Sequence, residues 1–304
     1  MTSIYTPPAP LQTAVLFLVF NRPDTTAQVF EAIRKAKPPR LYVAADGARS
    51  SKVGEAEKVQ AVRDFILQNI DWECEIKTLF RDQNLGCKYA VSGAITWFFD
   101  HEDQGIILED DCVPDEIFFK FCEDNLCLFK SNFTVGHISG CNLGYVTDAE
   151  SAGFLTKFPL IWGWATWADR WKNYSLDQGY ITSSITKDFK SPENRYWVDI
   201  SIKMESVDTW DYQWVFTLWK NNMYSVVPSS NHIKNIGFDL EATHTKNTKS
   251  ELASLDYGQQ TPNKAVDKYL NNGFESFLSK YYRLTVTQFA LKKIKLLIKG
   301  LVKV

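Results

Sequence analysis

Strand and helix signals alternate four times in about the first 110 residues, and that rhythm restricts the chain to an α/β architecture with parallel strands and right-handed crossovers. Ala14 to Phe20 is a continuous apolar run, as expected for a strand buried on both faces. Asn21-Arg22-Pro23-Asp24-Thr25-Thr26 supplies a turn and helix caps, and Val29, Phe30 and Ile33 follow at helical spacing. Leu41 to Ala45 reads as a second strand ending in Asp46-Gly47, before a helical pattern of Val59, Val62, Phe65, Ile66 and Ile70. Cys74 to Phe80 is a third strand, and Arg81-Asp82-Gln83-Asn84-Leu85-Gly86 is the loop after it. Tyr89, Ala90, Gly93, Ala94 and Trp97 predict a helix over Lys88 to Phe99.

The fourth strand carries the chemistry. Gly105-Ile106-Ile107-Leu108 runs straight into Glu109-Asp110-Asp111, and Pro114 stops the strand soon after. An open parallel sheet places ligand chemistry at the carboxyl ends of its strands. Strand alternation would put Glu109 and Asp111 on one face and Asp110 on the other. Three adjacent carboxylates repel one another, and Mg²⁺ or Mn²⁺ would offset them while holding a diphosphate as leaving group. The alternative reading of these residues is a solvated turn before a helix, with Asp115 as its N-cap.

The second half is less regular. Phe118 to Phe129 reads as a helix, Val135 to Ser139 as a strand, 193–206 and 209–222 as helices, and Tyr224 to Val227 as a strand. Ile161-Trp162-Gly163-Trp164-Ala165-Thr166-Trp167 sets three tryptophans among small residues. Asn235-Ile236-Gly237 and Thr243-His244-Thr245 read as polar loop, and 246–263 as a mobile segment. Aromatic residues are abundant, with Trp 10, Tyr 13 and Phe 20, and most are expected in the core although carbohydrate sites also use their faces. A net charge of −2 argues against nucleic acid as a partner. Six cysteines without a CxxC pair read as buried hydrophobes in a reducing compartment, and Met1 to Pro10 shows no secretory signal, so a cytoplasmic location is expected. Thr285 to Val304 contains Lys292, Lys293, Lys295, Lys299 and Lys303 and no acid; as a helix it would lay a basic stripe beside Leu291, Ile294, Ile298 and Leu301. Such a helix either lies on an anionic membrane at its inner face or docks on the domain with its lysines in water.

Taken in order, these motifs resemble a GT-A-fold, nucleotide-sugar-dependent glycosyltransferase, most similar to bacterial relatives of the Golgi N-acetylglucosaminyltransferase that initiates complex N-glycans. The resemblance covers roughly residues 14–245. Val19-Phe20-Asn21-Arg22-Pro23 is similar to that family's first strand and turn, where an arginine meets the nucleotide. Ala45-Asp46-Gly47 matches the position whose acid reads uracil, and Asn84-Leu85-Gly86-Cys87-Lys88 resembles the segment against the nucleotide and phosphates. Leu108-Glu109-Asp110-Asp111 matches the Glu-Asp-Asp form of the DXD motif, which implies Asp111 as the direct metal ligand. Trp162-Gly163-Trp164 looks like the Gly-Trp segment lining donor and acceptor, and Trp210-Asp211 matches a pair whose aspartate is the catalytic base. The family's closing loop has a polar stretch comparable with the one around His244, which is therefore a second candidate metal ligand.

The resemblance implies an α/β, Rossmann-like GT-A fold with a nucleotide-sugar-binding half (1–130), an acceptor-binding and catalytic half (131–245), and a mobile segment with the basic helix (246–304). Arg22, Asp46, Lys88, Glu109, Asp110 and Trp164 would meet the nucleoside-diphosphate sugar, UDP-linked in the nearest relatives, with Mn²⁺ or Mg²⁺ at Asp111. Asp211, flanked by Trp210 and Trp214, would deprotonate a hydroxyl of a glycan or lipid-linked glycan, giving inversion. Glu205 and Asp208 are nearby acids that could substitute for it. Two rivals share the pattern: a sugar-1-phosphate nucleotidyltransferase, which usually opens with a glycine-rich basic loop where this chain has Phe20-Asn21-Arg22-Pro23, and a non-catalytic carbohydrate-binding or assembly protein.

Overall fold

The structure is a computed structural model, and it describes residues 10–147, 151–176, 191–204, 206–238, 250–258 and 265–292. The first half alternates as expected: β1 (Val15–Val19), α1 (Pro23–Ala36), β2 (Arg40–Ala45), α2 (Glu55–Asn69), β3 (Glu75–Phe80), α3 (Gly86–Phe99) and β4 (Gln104–Glu109). The second half contributes β5 (Cys112–Pro114), α4 (Phe118–Leu128), β6 (Val135–Ser139), β7 (Gly153–Thr156), β8 (Trp164–Trp167) and α5 (Ala168–Trp171). It continues with α6 (Ser191–Lys203), α7 (Asp211–Lys220), β9 (Tyr224–Pro228), β10 (Ile233–Asn235) and α8 (Asn272–Leu278).

Eight strands form one sheet in the order β3-β2-β1-β4-β8-β6-β9-β7. The neighbours β3-β2, β2-β1 and β1-β4 are parallel, β8 runs antiparallel to both β4 and β6, and β6-β9 is parallel again. This is the expected α/β class, a Rossmann-like, mostly parallel sheet flanked by helices. Period-two alternation sorts β1 between its two faces. Val15, Phe17 and Val19 pack with Val29, Phe30 and Ile33 of α1, whereas Leu16 and Leu18 pack with Ala94, Ile95 and Phe98 of α3. Helices therefore cover both faces, which is why β1 is apolar throughout instead of alternating.

Three local devices shape the region that matters for function. Pro23 opens α1, where its missing N–H is not needed, so the turn at Asn21-Arg22 stays at the end of β1. β5 leaves β4 after a two-residue turn and pairs antiparallel with β10, with Asn235 opposite Cys112. Asp115 accepts from the N–H groups of Ile117 (2.9 Å) and Phe118 (3.0 Å), capping α4 as one reading of the acidic run anticipated. Its other oxygen lies 2.8 Å from Nδ1 of His232, which is buried.

The chain beyond residue 249 is tied to the domain at several points. Gly258 N–H donates to the Asn231 carbonyl, Asp267 N–H to Gly153, and Asn271 N–H to Leu155, while Phe274 and Leu278 are buried. Residues 286–292 are helical. Lys292, expected on a free basic stripe, sits 3.2 Å from the buried carboxylate of Asp199. Lys293, Lys295, Lys299 and Lys303 lie outside the described residues. Among the described residues, no helix is long and apolar enough to cross a membrane.

Candidate functional site

Parallel pairing of β1 with β4 sets Leu18 beside Glu109, so the turn after β1 and the three acids emerge at the same sheet edge. The backbone N–H of Phe20 donates to Asp110 Oδ2 at 3.1 Å, and Arg22 Nη1 reaches Asp111 Oδ2 at 3.3 Å. Strand geometry ends at Glu109, with Asp110 and Asp111 in a turn. Alternation therefore does not apply beyond Glu109, and all three residues line one cavity. Burial, reinforced by the Asp111 and Asp110 charges, holds the Glu109 carboxyl well above the ordinary range. Burial and the Asp111 charge push Asp110 up to about 7, against the opposing pull of Arg22. The backbone of β10 and its exit covers this cluster. Ile236 N–H donates to the Asp111 carbonyl at 2.8 Å, and a Cβ on Gly237 would come within 1.9 Å of Asp111 Oδ2. The polar loop read at 235–237 is thus a lid of bare backbone over the acids.

Beside the acids lies the end of β2. Asp46 accepts from the N–H groups of Gly47 (3.0 Å), Leu85 (3.0 Å) and Gly86 (3.1 Å) and from Asn84 Nδ2 (3.0 Å). Its carboxylate lines the cavity but is already engaged in shaping the loop before α3. Lys88 is not on the cavity wall: its ammonium is buried and donates to the Met204 carbonyl at 3.1 Å. Two cations that sequence reasoning passed over line the cavity instead. Arg49 is held by Glu55 and lies 5.5 Å from the Phe20 ring centroid. Arg81 donates to the Ala90 carbonyl at 3.2 Å and has no carboxylate at ion-pair distance among the described residues. Arg81 was legible as the first residue after the third strand.

Asp211, the first residue of α7, lines the same cavity, and its charge adds to those that raise Glu109. Its Oδ1 accepts from Tyr212 N–H at 2.9 Å and from the Thr209 hydroxyl in a very short contact. Behind it, Trp214 Nε1 donates to His137 Nδ1 at 3.1 Å, and burial pushes that histidine down to about 3, so it is a neutral imidazole. Of the tryptophans read at 162–164, Trp162 lines the cavity. Trp164 does not: it is fully buried, stacked 5.5 Å from Trp210 and 5.0 Å from His137. Gly163 between them has φ +59, a left-handed turn that sends the two indoles different ways. Tyr196, Tyr212, Tyr281 and Tyr282 complete the aromatic lining of the cavity. Sequence reasoning missed all four, and the last two come from the segment read as a mobile tail. Glu205 and His244 lie outside the described residues.

The enclosed volume is about 670 Å³, within the range for small-molecule sites, and is lined by residues of both halves. Among the described residues, no three His, Cys, Asp or Glu side chains converge as a metal-binding group. Glu109, Asp110 and Asp111 still fit a divalent cation. Their carboxyls are held in mutual repulsion with Arg22 as the nearby guanidinium, and Mg²⁺-type ions characteristically take one or two carboxylates and complete their shell with water and substrate phosphate.

No family model and no curated protein matches the chain. Among solved structures it is similar to the Pyrobaculum calidifontis mannosyltransferase PcManGT, determined with GDP-mannose and Mn²⁺, at 12% identity and a TM-score of 0.35, covering 65% of this chain and 55% of that one. It is also similar to residues 1–349 of S. aureus TarS, at 10% identity and a TM-score of 0.38, covering 73% of this chain and 59% of that one. A third likeness is to the Streptococcus pneumoniae glycosyltransferase GlyE, at 12% identity and a TM-score of 0.33, covering 70% of this chain and 45% of that one. This chain thus spans about half the length of these structures, and likenesses at this level carry no weight for function. The site has to carry that argument.

Proposed function

We propose that this chain is a glycosyltransferase that moves a sugar from a nucleoside-diphosphate sugar, UDP-linked, to a hydroxyl of a glycan or lipid-linked glycan, with inversion. One observation carries the reading: a single cavity is lined by the Glu109-Asp110-Asp111 cluster, by Arg22 and by a separately held carboxylate, Asp211, whose charge reaches Glu109. A hexosyl or N-acetylhexosaminyl donor would lie between them. Mn²⁺ or Mg²⁺ bound at Asp111 would supply positive charge to the departing diphosphate.

The chain's own residues supply the rest. Arg22 and Arg81 present guanidinium groups to phosphate oxygens, and the planar fork suits that geometry. Asp46 would read a uracil N–H by sharing an oxygen that already shapes the Asn84-Gly86 loop. The acceptor hydroxyl gives its proton to Asp211 as its oxygen bonds to the sugar C1 and the bond from C1 to the diphosphate breaks. Thr209 and Tyr212 fix the orientation of that carboxylate. Trp162 and the tyrosines that line the cavity would offer aromatic faces to an acceptor sugar and keep bulk water away from C1.

The test is Mn²⁺ titration with UDP-glucose, UDP-galactose, UDP-N-acetylglucosamine, UDP-N-acetylgalactosamine and GDP-mannose, following slow donor hydrolysis in wild type and Asp211→Asn. Mn²⁺-dependent hydrolysis that falls ~100-fold or more in Asp211→Asn, with nucleotide binding retained, is the expected outcome. Pyrophosphorolysis of the nucleotide sugar to a nucleoside triphosphate and a sugar-1-phosphate would instead identify a nucleotidyltransferase, and nucleotide binding without turnover a non-catalytic binding protein.

A further inference from the structure

The first four N–H groups at the start of α3 have no partners within the helix, and Leu85 before it offers no capping side chain. Two carboxylates from distant parts of the chain divide these groups. Asp46, at the end of β2, takes Leu85 and Gly86. Asp208 takes the other two, with Cys87 N–H at 3.2 Å from its Oδ2 and Lys88 N–H at 2.8 Å from its Oδ1. A Cβ on Gly86 would meet Asp208 Oδ2 at 2.8 Å, so glycine there admits the cap, and its φ of +78 demands glycine as well.

Asp208 sits in the short connection between α6 and α7, and the same helical turn holds that connection at a second point through Lys88 Nζ and the Met204 carbonyl. Next to Asp208, Thr209 donates its hydroxyl to Asp211 Oδ1. We infer that Asp208 is a positioning residue: it clamps the segment carrying Asp211 to the N-terminus of α3 and so fixes the base relative to the acidic cluster. The inference rests on the reading of Asp211 as the base. It also removes Asp208 from the candidate bases, because both of its oxygens are occupied by backbone amides of α3.

The test compares wild type, Asp208→Ala, Asp208→Asn, Asp211→Asn and the Asp208→Ala/Asp211→Asn pair. Two quantities are read: hydrogen exchange at the Cys87 and Lys88 amides, and kcat and KM for the most rapidly hydrolysed nucleotide sugar of the panel above. Asp208→Ala should lose ~5-fold or more of protection at both amides, the scale of a lost cap. It should also lower kcat ~10-fold or more with donor KM within about twofold and the pH profile unmoved. Asp208→Asn, keeping one acceptor oxygen, should fall between the two, and it carries the same reading where the alanine variant does not fold. The double variant should be no slower than Asp211→Asn alone. Unchanged kcat together with unchanged protection in Asp208→Ala overturns the inference. So does an Asp208→Asn variant as inactive as Asp208→Ala that has lost the limb of the pH profile belonging to the base. If Asp211→Asn turns over normally, the base assignment falls, and amide protection at Cys87 and Lys88 then decides the clamp by itself.

Discussion

The acidic and the aromatic residues that line the cavity are brought to it on opposite plans. The acidic set is local: Glu109, Asp110 and Asp111 are consecutive, and the neighbouring strand brings Phe20 and Arg22 to them. The aromatic set is assembled from Trp162, Tyr196, Tyr212 and Tyr281-Tyr282, which belong to four separate segments. A contiguous cluster of charges advertises itself in a sequence because nothing else explains three adjacent carboxylates after an apolar strand. A wall of aromatics does not, because each member reads equally well as core. The acidic cluster is therefore easy to see in the sequence, while the aromatic wall becomes visible only once the chain is folded.

Gly237→Ala tests the acidic set most severely. Its Cβ has no room beside Asp111 Oδ2, so the carboxylate or the β10 backbone must shift. Displacement of about 1 Å at a site like this costs ~100-fold, so Mn²⁺-dependent UDP binding, followed by calorimetry, should weaken by at least ~10-fold. Thermal stability should stay close to wild type, while Trp162, packed edge-to-face on Phe238 at 5.8 Å, should report the shift in intrinsic fluorescence. A variant with native UDP affinity would show that Asp111 does not depend on the lid.

The paired tryptophans sharpen the contrast between wall and core. Trp164→Ala removes a fully buried indole between Trp210 and His137 and should cost ~3–5 kcal/mol by chemical denaturation. Trp162→Ala should cost far less stability and instead raise the acceptor KM by several-fold, with donor hydrolysis preserved. Equal loss of stability in the two variants would place Trp162 in the core as well.

The smallest effect is on pH. Asp110 in the folded protein titrates near 7, against about 3.8 when unfolded. Between those values the folded state holds a proton that the unfolded chain has released, so this carboxyl lowers stability as pH rises through that window. Because the buried neutral His137 acts in the opposite sense at acid pH, the comparison needs a variant. In the presence of a chelator, Asp110→Asn should gain stability relative to wild type on going from pH 5 to pH 8. A difference that does not change with pH would mean that Asp110 titrates normally.

The sheet was legible because each strand and helix of the first half carries its own periodicity. Val29, Phe30 and Ile33 are buried as their spacing requires, and β1 to β4 pair as the alternation implies. The limits of that reading are physical too. Asp110 and Asp111 fall in a turn because the strand stops two residues earlier than alternation assumed. Trp162 and Trp164 share a parity in sequence and are separated by the left-handed turn at Gly163. Lys88 looked like a phosphate contact until its ammonium turned inward to Met204, and Asp46 and Asp208 are joined through α3 by contacts spanning roughly 40 and 120 positions. None of these leaves a local signature.

The most direct measurement is the anomeric configuration of the sugar first released during slow donor hydrolysis, followed by proton NMR before mutarotation. With Asp211 activating water from the side of the cavity opposite the diphosphate, an α-linked nucleotide sugar should yield the β-anomer first, in a Mn²⁺-dependent reaction. Release of the α-anomer would contradict the account, since a retaining enzyme has no place for Asp211 as the base.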